Sequence, residues 1–345
     1  MNKILTIIIP TYNMEKYLRK CLDSLIVSEE NLQQLEVLVV NDGSKDSSSQ
    51  IAHEYEAKYP QTFRVIDKEN GNYGSCINRG LKEATGKYVK VLDADDYFVT
   101  SSFNDFIFFL NQYDADLIIT KTQRVDNEGR IFKHDVFSIP TDRIITLDEL
   151  PREIIHMHSM TYRMQILKDI NYKQTEGMSY TDNEWSTWPL LHMKTAIYYP
   201  RTVYSYLVGR EGQTVSDDSY VKNRLHFLHV SMGVMDKLSN MKPDQDRAFY
   251  YLQHRLKFIL KFIYRKILIV DKCQHQQELI DFDKKMKSVY PQFYRMLDDV
   301  LLGRFVRYRF IHDWRNKSYP SHLDYRWLFL HYITSSVYSI IHSIK

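Results

Sequence analysis

Through residues 1–120 the chain alternates short β-branched apolar runs with amphipathic stretches. Ile4, Leu5, Ile7, Ile8 and Ile9 form a run stopped by Pro10, as expected of a strand buried on both faces of a parallel sheet. Tyr17, Leu18, Cys21, Leu22 and Leu25 then recur at helical spacing, which predicts a helix over 15–26. The pattern repeats with strands over 35–40, 63–66 and 87–92, helices over 51–58 and 81–84, and a further helix and strand over 103–111 and 116–120. Strands and helices alternating at these lengths imply β-α-β units and a mostly parallel sheet with helices on both faces.

From there to Val215 the pattern is less regular, rich in Tyr, Met and His. After Tyr220 the strand signals stop, and 225–238, 249–270 and 276–290 read as helices. A boundary is expected near Asp217 and Asp218. It gives an α/β domain over 1–218 and a mainly helical region over 219–345.

Charge sharpens this division. Residues 1–219 hold 24 Lys/Arg against 32 Asp/Glu, whereas 220–345 hold 22 against 11. An acidic front on a basic tail implies different partners for each, with an anionic surface as the tail's candidate. In 249–270, Leu252, Leu256, Ile259, Leu260 and Ile263 share one face between Lys and Arg positions, a pattern that fits packing on a neighbouring helix better than lipid. Leu330, Ile333, Val337, Ile340 and Ile344 form a second stripe, too polar for a membrane span and suited to interfacial docking or oligomer packing. Cys21, Cys76 and Cys273 are odd in number and have no metal-finger spacing, which argues for a reducing, cytoplasmic setting. The apolar run before Pro10 is too short for a signal peptide and reads as the first strand. No recognised nucleic-acid-binding module is found in the sequence, so nucleic acid is not expected as a partner.

The chemistry gathers at strand ends. Asp93, Asp95 and Asp96 follow the strand over 87–92 at once, and three carboxylates there call for a cation, a cage of donors or open water. A solvated helix cap is the bland alternative. In open α/β sheets ligands bind beyond the carboxyl ends of the strands. Loops 10–15, 41–46 and 93–96 therefore converge, each carrying an acidic residue. Like charges at one edge repel and raise one another's pKa, so several carboxylates there serve a ligand better than a scaffold.

Four segments in order, Ile7 to Asn13, Val39 to Ser44, Glu69 to Tyr88 and Leu92 to Asp96, together resemble the family-2 inverting glycosyltransferases of GT-A fold. The likeness is strong over 1–99, the nucleotide-sugar-binding half, and thins over 100–218, the acceptor half. It implies a nucleotide-diphosphate sugar donor, a UDP-sugar first, and Mg2+ or Mn2+ at an Asp-x-Asp motif. By resemblance Asp95 ligates the metal, Asp93 contacts ribose and metal, and Asp96 shares or supports that role. Asp42 matches the carboxylate that meets the nucleoside base, with Pro10, Thr11, Tyr12 and Glu15 shaping the pocket; Tyr12 reads equally as a core aromatic. Gly71 begins a candidate phosphate cradle that includes Asn78 and Arg79. Where many relatives show Ala-Arg-Asn, this chain has Cys76, Ile77 and Asn78.

Asp182, with Glu184 second, resembles the family's acidic segment and is the expected base for the acceptor hydroxyl. A helix cap followed by Glu would read the same way. Arg210, Gln213 and Ser216 resemble the loop that closes over the donor, although an ordinary hairpin fits as well. His156 and His158 lack an adjacent carboxylate in sequence and are expected in packing or acceptor contacts. The family further implies a glycan or polyprenyl-linked acceptor, bacterial surface-polysaccharide assembly, and peripheral contact at the inner face of the plasma membrane. Two rivals remain at this level. A nucleotidyltransferase would carry a Gly-rich basic loop where Pro10 to Asn13 stand, and a non-catalytic glycan-assembly protein would keep the fold alone.

Overall fold

The computed structural model describes residues 3–210, 212–213, 216–303 and 306–321, with Leu323, Phe329, Tyr332 and Ile333. The chain divides into two compact units, Met1–Gln213 with Met241–Leu252, and Thr214–Asn240 with Gln253–Lys345.

The first unit opens with β1 (Leu5–Thr11), α1 (Glu15–Asp23), α2 (Glu29–Gln34), β2 (Leu35–Asn41), α3 (Ser48–Lys58), β3 (Phe63–Asp67), α4 (Asn72–Glu83) and β4 (Tyr88–Val91). The apolar runs become the parallel strands β3-β2-β1-β4, with Ile7 paired to Val37 on one side and Lys90 on the other. Every residue of β1 is buried, as a strand covered on both faces requires. The helix expected over 15–26 ends at Asp23, and the separate short α2 follows it.

The remainder is β5 (Tyr97–Phe98), α5 (Thr100–Gln112), β6 (Leu117–Val125), β7 (Ile131–Asp135), β8 (Ile145–Thr146), β9 (Met160–Arg163), α6 (Met164–Asp169), α7 (Asp182–Trp185) and β10 (Thr195–Leu207). Here the sheet is mixed: β9 runs antiparallel between β4 and β6, and β10 is parallel to β6 and antiparallel to β5. The irregular-looking segment before Val215 thus supplies two strands of the central path. His156 and Met157–Ser159 form a short turn ahead of β9, not the alternating strand that would set the two histidines on one face.

Lys90 is an unusual core residue, fully buried in β4. Its Nζ donates to the carbonyls of His158 (2.6 Å) and Met160 (3.2 Å), joining β4 to β9. Two acceptors match the two N–H groups of a neutral amine, and burial lowers its pKa from 10.5 to about 7.

The second unit is helical: α8 (Asp217–Lys222), α9 (Arg224–Leu238), α10 (Phe249–Arg265, its residues from Gln253 onward, running into a π turn over Lys266–Val270), α11 (Gln276–Val289), α12 (Pro291–Met296) and α13 (Phe310–Asn316). Leu256, Ile259, Leu260, Ile263 and Ile267 of the basic helix are buried in protein, as packing on a neighbour demands. Arg315 lies at the centre of a buried network, bonded to Asp283 at 2.7 Å and Asp298 at 2.8 Å. Among the described residues no helix is long and apolar enough to cross a membrane. Apart from Ile333, the last apolar stripe lies outside the described residues.

Two outcomes test this packing. A Cβ on Gly74 of α4 would sit 1.9 Å from the Thr175 carbonyl oxygen. Gly74→Ala should therefore destabilise the protein by about 1–3 kcal/mol in urea melts. Between pH 7 and 10.5 the unfolded chain holds the Lys90 proton more tightly than the folded one. Unfolding free energy should then rise with pH in the wild type relative to Lys90→Met, by up to about 1.4 kcal/mol per unit. Parallel pH profiles would show that Lys90 titrates normally.

Candidate active site

The ends of β1, β2 and β4 build one carboxylate-rich edge. Asp42 N–H donates to the Thr11 carbonyl at 2.8 Å, continuing the β1–β2 ladder into the loops. Those loops cross-bond: Lys45 N–H donates to Asn13 Oδ1, Ser47 N–H to Glu15 Oε2, and Glu15 N–H to Asp46 Oδ2. Pro10 and Thr11 are buried beneath them, while Tyr12 is 45% exposed and so is no core aromatic. Asp42 itself is buried and ion-paired with Lys68.

After β4 the three carboxylates separate by environment. Asp96 is buried, with Oδ2 accepting from the Tyr204 hydroxyl (2.6 Å) and Oδ1 from Leu207 N–H (2.7 Å). The same hydroxyl accepts Asp93 N–H at 3.2 Å. Burial, with Asp95 and Asp93 beside it, pushes Asp96 well above the usual carboxylate range. Asp95 is raised by burial and Asp93, against the opposing Arg210, whose Nε bonds its carboxylate. Arg210 also lies over the Tyr17 ring, 5.7 Å from its centroid. Asp93 accepts from the Tyr73 hydroxyl at 2.8 Å, and its other oxygen is 3.7 Å from His158 Nε2.

Asp93, Asp96 and His158 offer ligand atoms within 4.8 Å of one another, a group that could hold a metal ion. The expectation that no carboxylate would meet His158 is corrected: β9 lies beside β4, so the turn ahead of β9 delivers the imidazole to Asp93. Imidazole stacking on Tyr206, with centroids 4.4 Å apart, holds it there.

The acidic segment approaches through α4. Asn78 exchanges hydrogen bonds with the Gln174 backbone, both at 2.8 Å, and Gln174 Nε2 reaches Thr181 Oγ1 at 2.9 Å. Both Glu184 oxygens accept from Thr175, through its N–H and hydroxyl. Glu184 thereby braces the loop; Asp182, at the start of α7, is half-buried like Glu184. Asp182, with Asp93 and Asp96, adds to the burial that pushes the Tyr73 phenol well above its ordinary pKa. Arg79 pairs instead with Glu83 one turn along α4, half exposed. Of the expected loop, Gly209 and Gly212 both have positive φ (96° and 74°), and Gln213 bonds Gly209 N–H at 2.9 Å.

Tyr73, His158, Tyr204 and Lys68 were absent from the sequence-level site. Only Lys68 had a local signal, a lone cation one residue past β3 beside the Glu69-Asn70-Gly71 turn.

A parallel first half, an acidic edge at its strand ends and a mixed second half define a GT-A-type architecture. The comparisons with known proteins agree: residues 6–170 match the model of Glycosyl transferase family 2, and the chain carries a domain of that family. It is 25% identical over 300 residues to the minor teichoic acid biosynthesis protein GgaB of Bacillus subtilis, covering 86% of this chain and 33% of that protein. It is 29% identical over 214 residues to the poly(ribitol-phosphate) beta-N-acetylglucosaminyltransferase TarS of Staphylococcus aureus, covering 61% of this chain and 36% of TarS. The chain therefore spans about a third of either relative. The crystal structure of S. aureus TarS 1-349 in complex with UDP superposes with a TM-score of 0.67 at 21% identity, over 92% of this chain and 88% of that one. TarS 1-349 is also solved with UDP-GlcNAc.

Tyr204→Phe should leave the buried Asp96 carboxylate and Asp93 N–H each short of a partner. A loss of about 1–3 kcal/mol is expected, read as a lowered denaturation midpoint; an unchanged midpoint would mean the hydroxyl does not hold the loop.

Proposed function

We propose that this chain is a metal-dependent, inverting glycosyltransferase that moves a sugar from a nucleotide-diphosphate sugar, a UDP-sugar first, to a hydroxyl of a glycan or lipid-linked acceptor in bacterial surface-polysaccharide assembly. The observation that carries the reading is the grouping of Asp93, Asp96 and His158 at the end of β4, with ligand atoms within 4.8 Å of one another, where Asp93 also accepts from the Tyr73 hydroxyl at 2.8 Å. Such an edge suits an ion that meets a departing diphosphate, and Asp182 is the candidate base for the direct displacement. GgaB, named for minor teichoic acid biosynthesis, and TarS, named as a poly(ribitol-phosphate) beta-N-acetylglucosaminyltransferase, support the substrate class.

In this reading Asp42 accepts a hydrogen bond from the nucleobase, and exposed Tyr12 offers its ring beside it. Asp182 takes the proton of the acceptor hydroxyl as that oxygen bonds to the anomeric carbon. The bond from that carbon to the diphosphate breaks on the opposite face, inverting the centre. Arg210, released from Asp95, supplies a cation to the departing phosphates. Asp93, Asp95 and Asp96 would hold Mg2+ or Mn2+, whose chemistry is to neutralise charge on the diphosphate. The Asp93, Asp96 and His158 grouping fits such an ion, and an imidazole in the set favours Mn2+ over Mg2+.

A panel of nucleotide sugars with Mn2+, read by released nucleotide diphosphate, tests the reading. One donor should turn over, and Asp182→Asn should lower kcat by about 10²–10⁴-fold while nucleotide binding persists. Wild-type turnover in that variant would remove Asp182 as base. Asp93→Asn should instead abolish the rise in melting temperature that Mn2+ with nucleotide gives the wild type; an equal rise in both would take Asp93 out of the donor site.

A further inference from the structure

Between the second half of α4, α6 and the turn that follows α6 lies a cleft of about 330 Å3, within the size range of small-molecule sites. Met164, Leu167 and Tyr172 give it an apolar lining, and the exposed Lys82, Lys168 and Lys173 supply three cations. Among the described residues none of the three lysines is ion-paired. The nearest acidic side chains in sequence already have partners: Glu83 meets Arg64 and Arg79, Asp169 accepts from Gln165, and Glu176 accepts from Asn78.

Lys82 and Lys168 each stand in the last turn of a helix, where a cation offsets the negative end of the dipole. That accounts for each alone, but not for two such ends converging on one cleft, nor for Lys173. Asn171 brings the third lysine in. It takes a left-handed conformation with φ 48°, its N–H bonded to the Lys168 carbonyl at 3.0 Å and Tyr172 N–H to that of Leu167 at 2.8 Å. The chain turns back past the end of α6, and Lys173 lines the same cleft as Lys168. Residues 1–219 hold 32 Asp/Glu against 24 Lys/Arg, so this cationic concavity runs against the charge of its surroundings. Like charges held together repel, and an anion between them removes that cost.

The cleft is also tied to the candidate base. Asn78 lines it and exchanges hydrogen bonds with the Gln174 backbone, and Gln174 reaches Thr181, the neighbour of Asp182. Tyr172 packs edge-on against Trp185 of α7, ring centroids 5.6 Å apart. Asn78 is six residues along α4 from Asn72, about 9 Å at the helical rise, and Gly71 at the start of α4 donates to Asp42. A chain whose end lies at Asp182 would have its earlier units within reach of the lysines.

We infer that this cleft is an acceptor subsite, and that the acceptor is an anionic, phosphodiester-linked chain whose phosphates lie against Lys82, Lys168 and Lys173. This rests on the glycosyltransferase reading above and names its acceptor class. A phosphodiester chain sets one negative charge in each repeat and a polyol between, which matches cations spaced around an apolar lining. A lipid bilayer presents a broad surface and fits a concavity of this size poorly.

Calorimetric titration of the full chain with a hexamer of glycerol phosphate, and with maltohexaose as its neutral counterpart, tests the inference. The wild type should bind the phosphate hexamer at least about tenfold more tightly than maltohexaose. Lys82→Gln, Lys168→Gln and Lys173→Gln together should weaken hexamer binding by about 5- to 100-fold. All three side chains are exposed, so the fold should persist. A matched triple at the exposed Lys58, Lys133 and Lys194, each to Gln, removes the same charge elsewhere and should leave binding within about twofold. Equal losses in the two triples, undiminished binding in the cleft variant, or equal binding of maltohexaose would overturn the inference. So would co-sedimentation with phosphatidylglycerol vesicles that needs the same three lysines while the hexamer fails to bind. Titrating UDP with Mn2+ into the same samples separates the two levels. Heat from UDP but none from the hexamer overturns the subsite alone, and heat from neither brings down the glycosyltransferase reading as well.

Discussion

The Tyr204 hydroxyl accepts from the backbone of Asp93 and donates to the side chain of Asp96, inside a region closed to solvent. With Leu207 N–H on the other Asp96 oxygen, it bolts the acidic loop after β4 to the strand β10. A buried carboxylate is tolerable only when its oxygens have donors, so this pairing lets an acidic loop stand at the edge of an apolar core. Three carboxylates in four positions then take three roles. Asp96 anchors, Asp93 faces Tyr73 and His158, and Asp95 faces Arg210.

Lys90 and Lys68 carry a related lesson about buried cations. Lys90 has only carbonyls for partners, and its pKa falls to about 7. Lys68 lies against a carboxylate and remains a charge partner for it. Complete burial without a carboxylate pulls Lys90 toward the neutral amine, whereas Lys68 is partly exposed and paired with Asp42.

How much of this was legible in the sequence depended on distance along the chain. The strands β1 to β4 announced themselves because burial on both faces demands unbroken apolar runs. Asp42 and the 93–96 carboxylates were legible because strand ends follow those runs. β9 and β10 were not, since Thr- and Tyr-rich strands in a mixed sheet gain their meaning from partners far away. For the same reason the anchoring role of Asp96 was invisible, its donors lying 108 and 111 residues on. Asp182 was singled out by resemblance alone, whereas the bracing of Glu184 against Thr175 needed coordinates.

That long bolt also has a consequence for how the protein is made. Among the described residues the parallel strands β1 to β4 pair only with each other and with β9, so much of this parallel half can fold as it leaves the ribosome. The acidic loop cannot take its final form until residues 204–207 have been synthesised. Until then Asp96 lacks both donors, and the cost of burying it keeps the loop open. The parallel half is therefore complete well before the growing chain has an organised acidic loop.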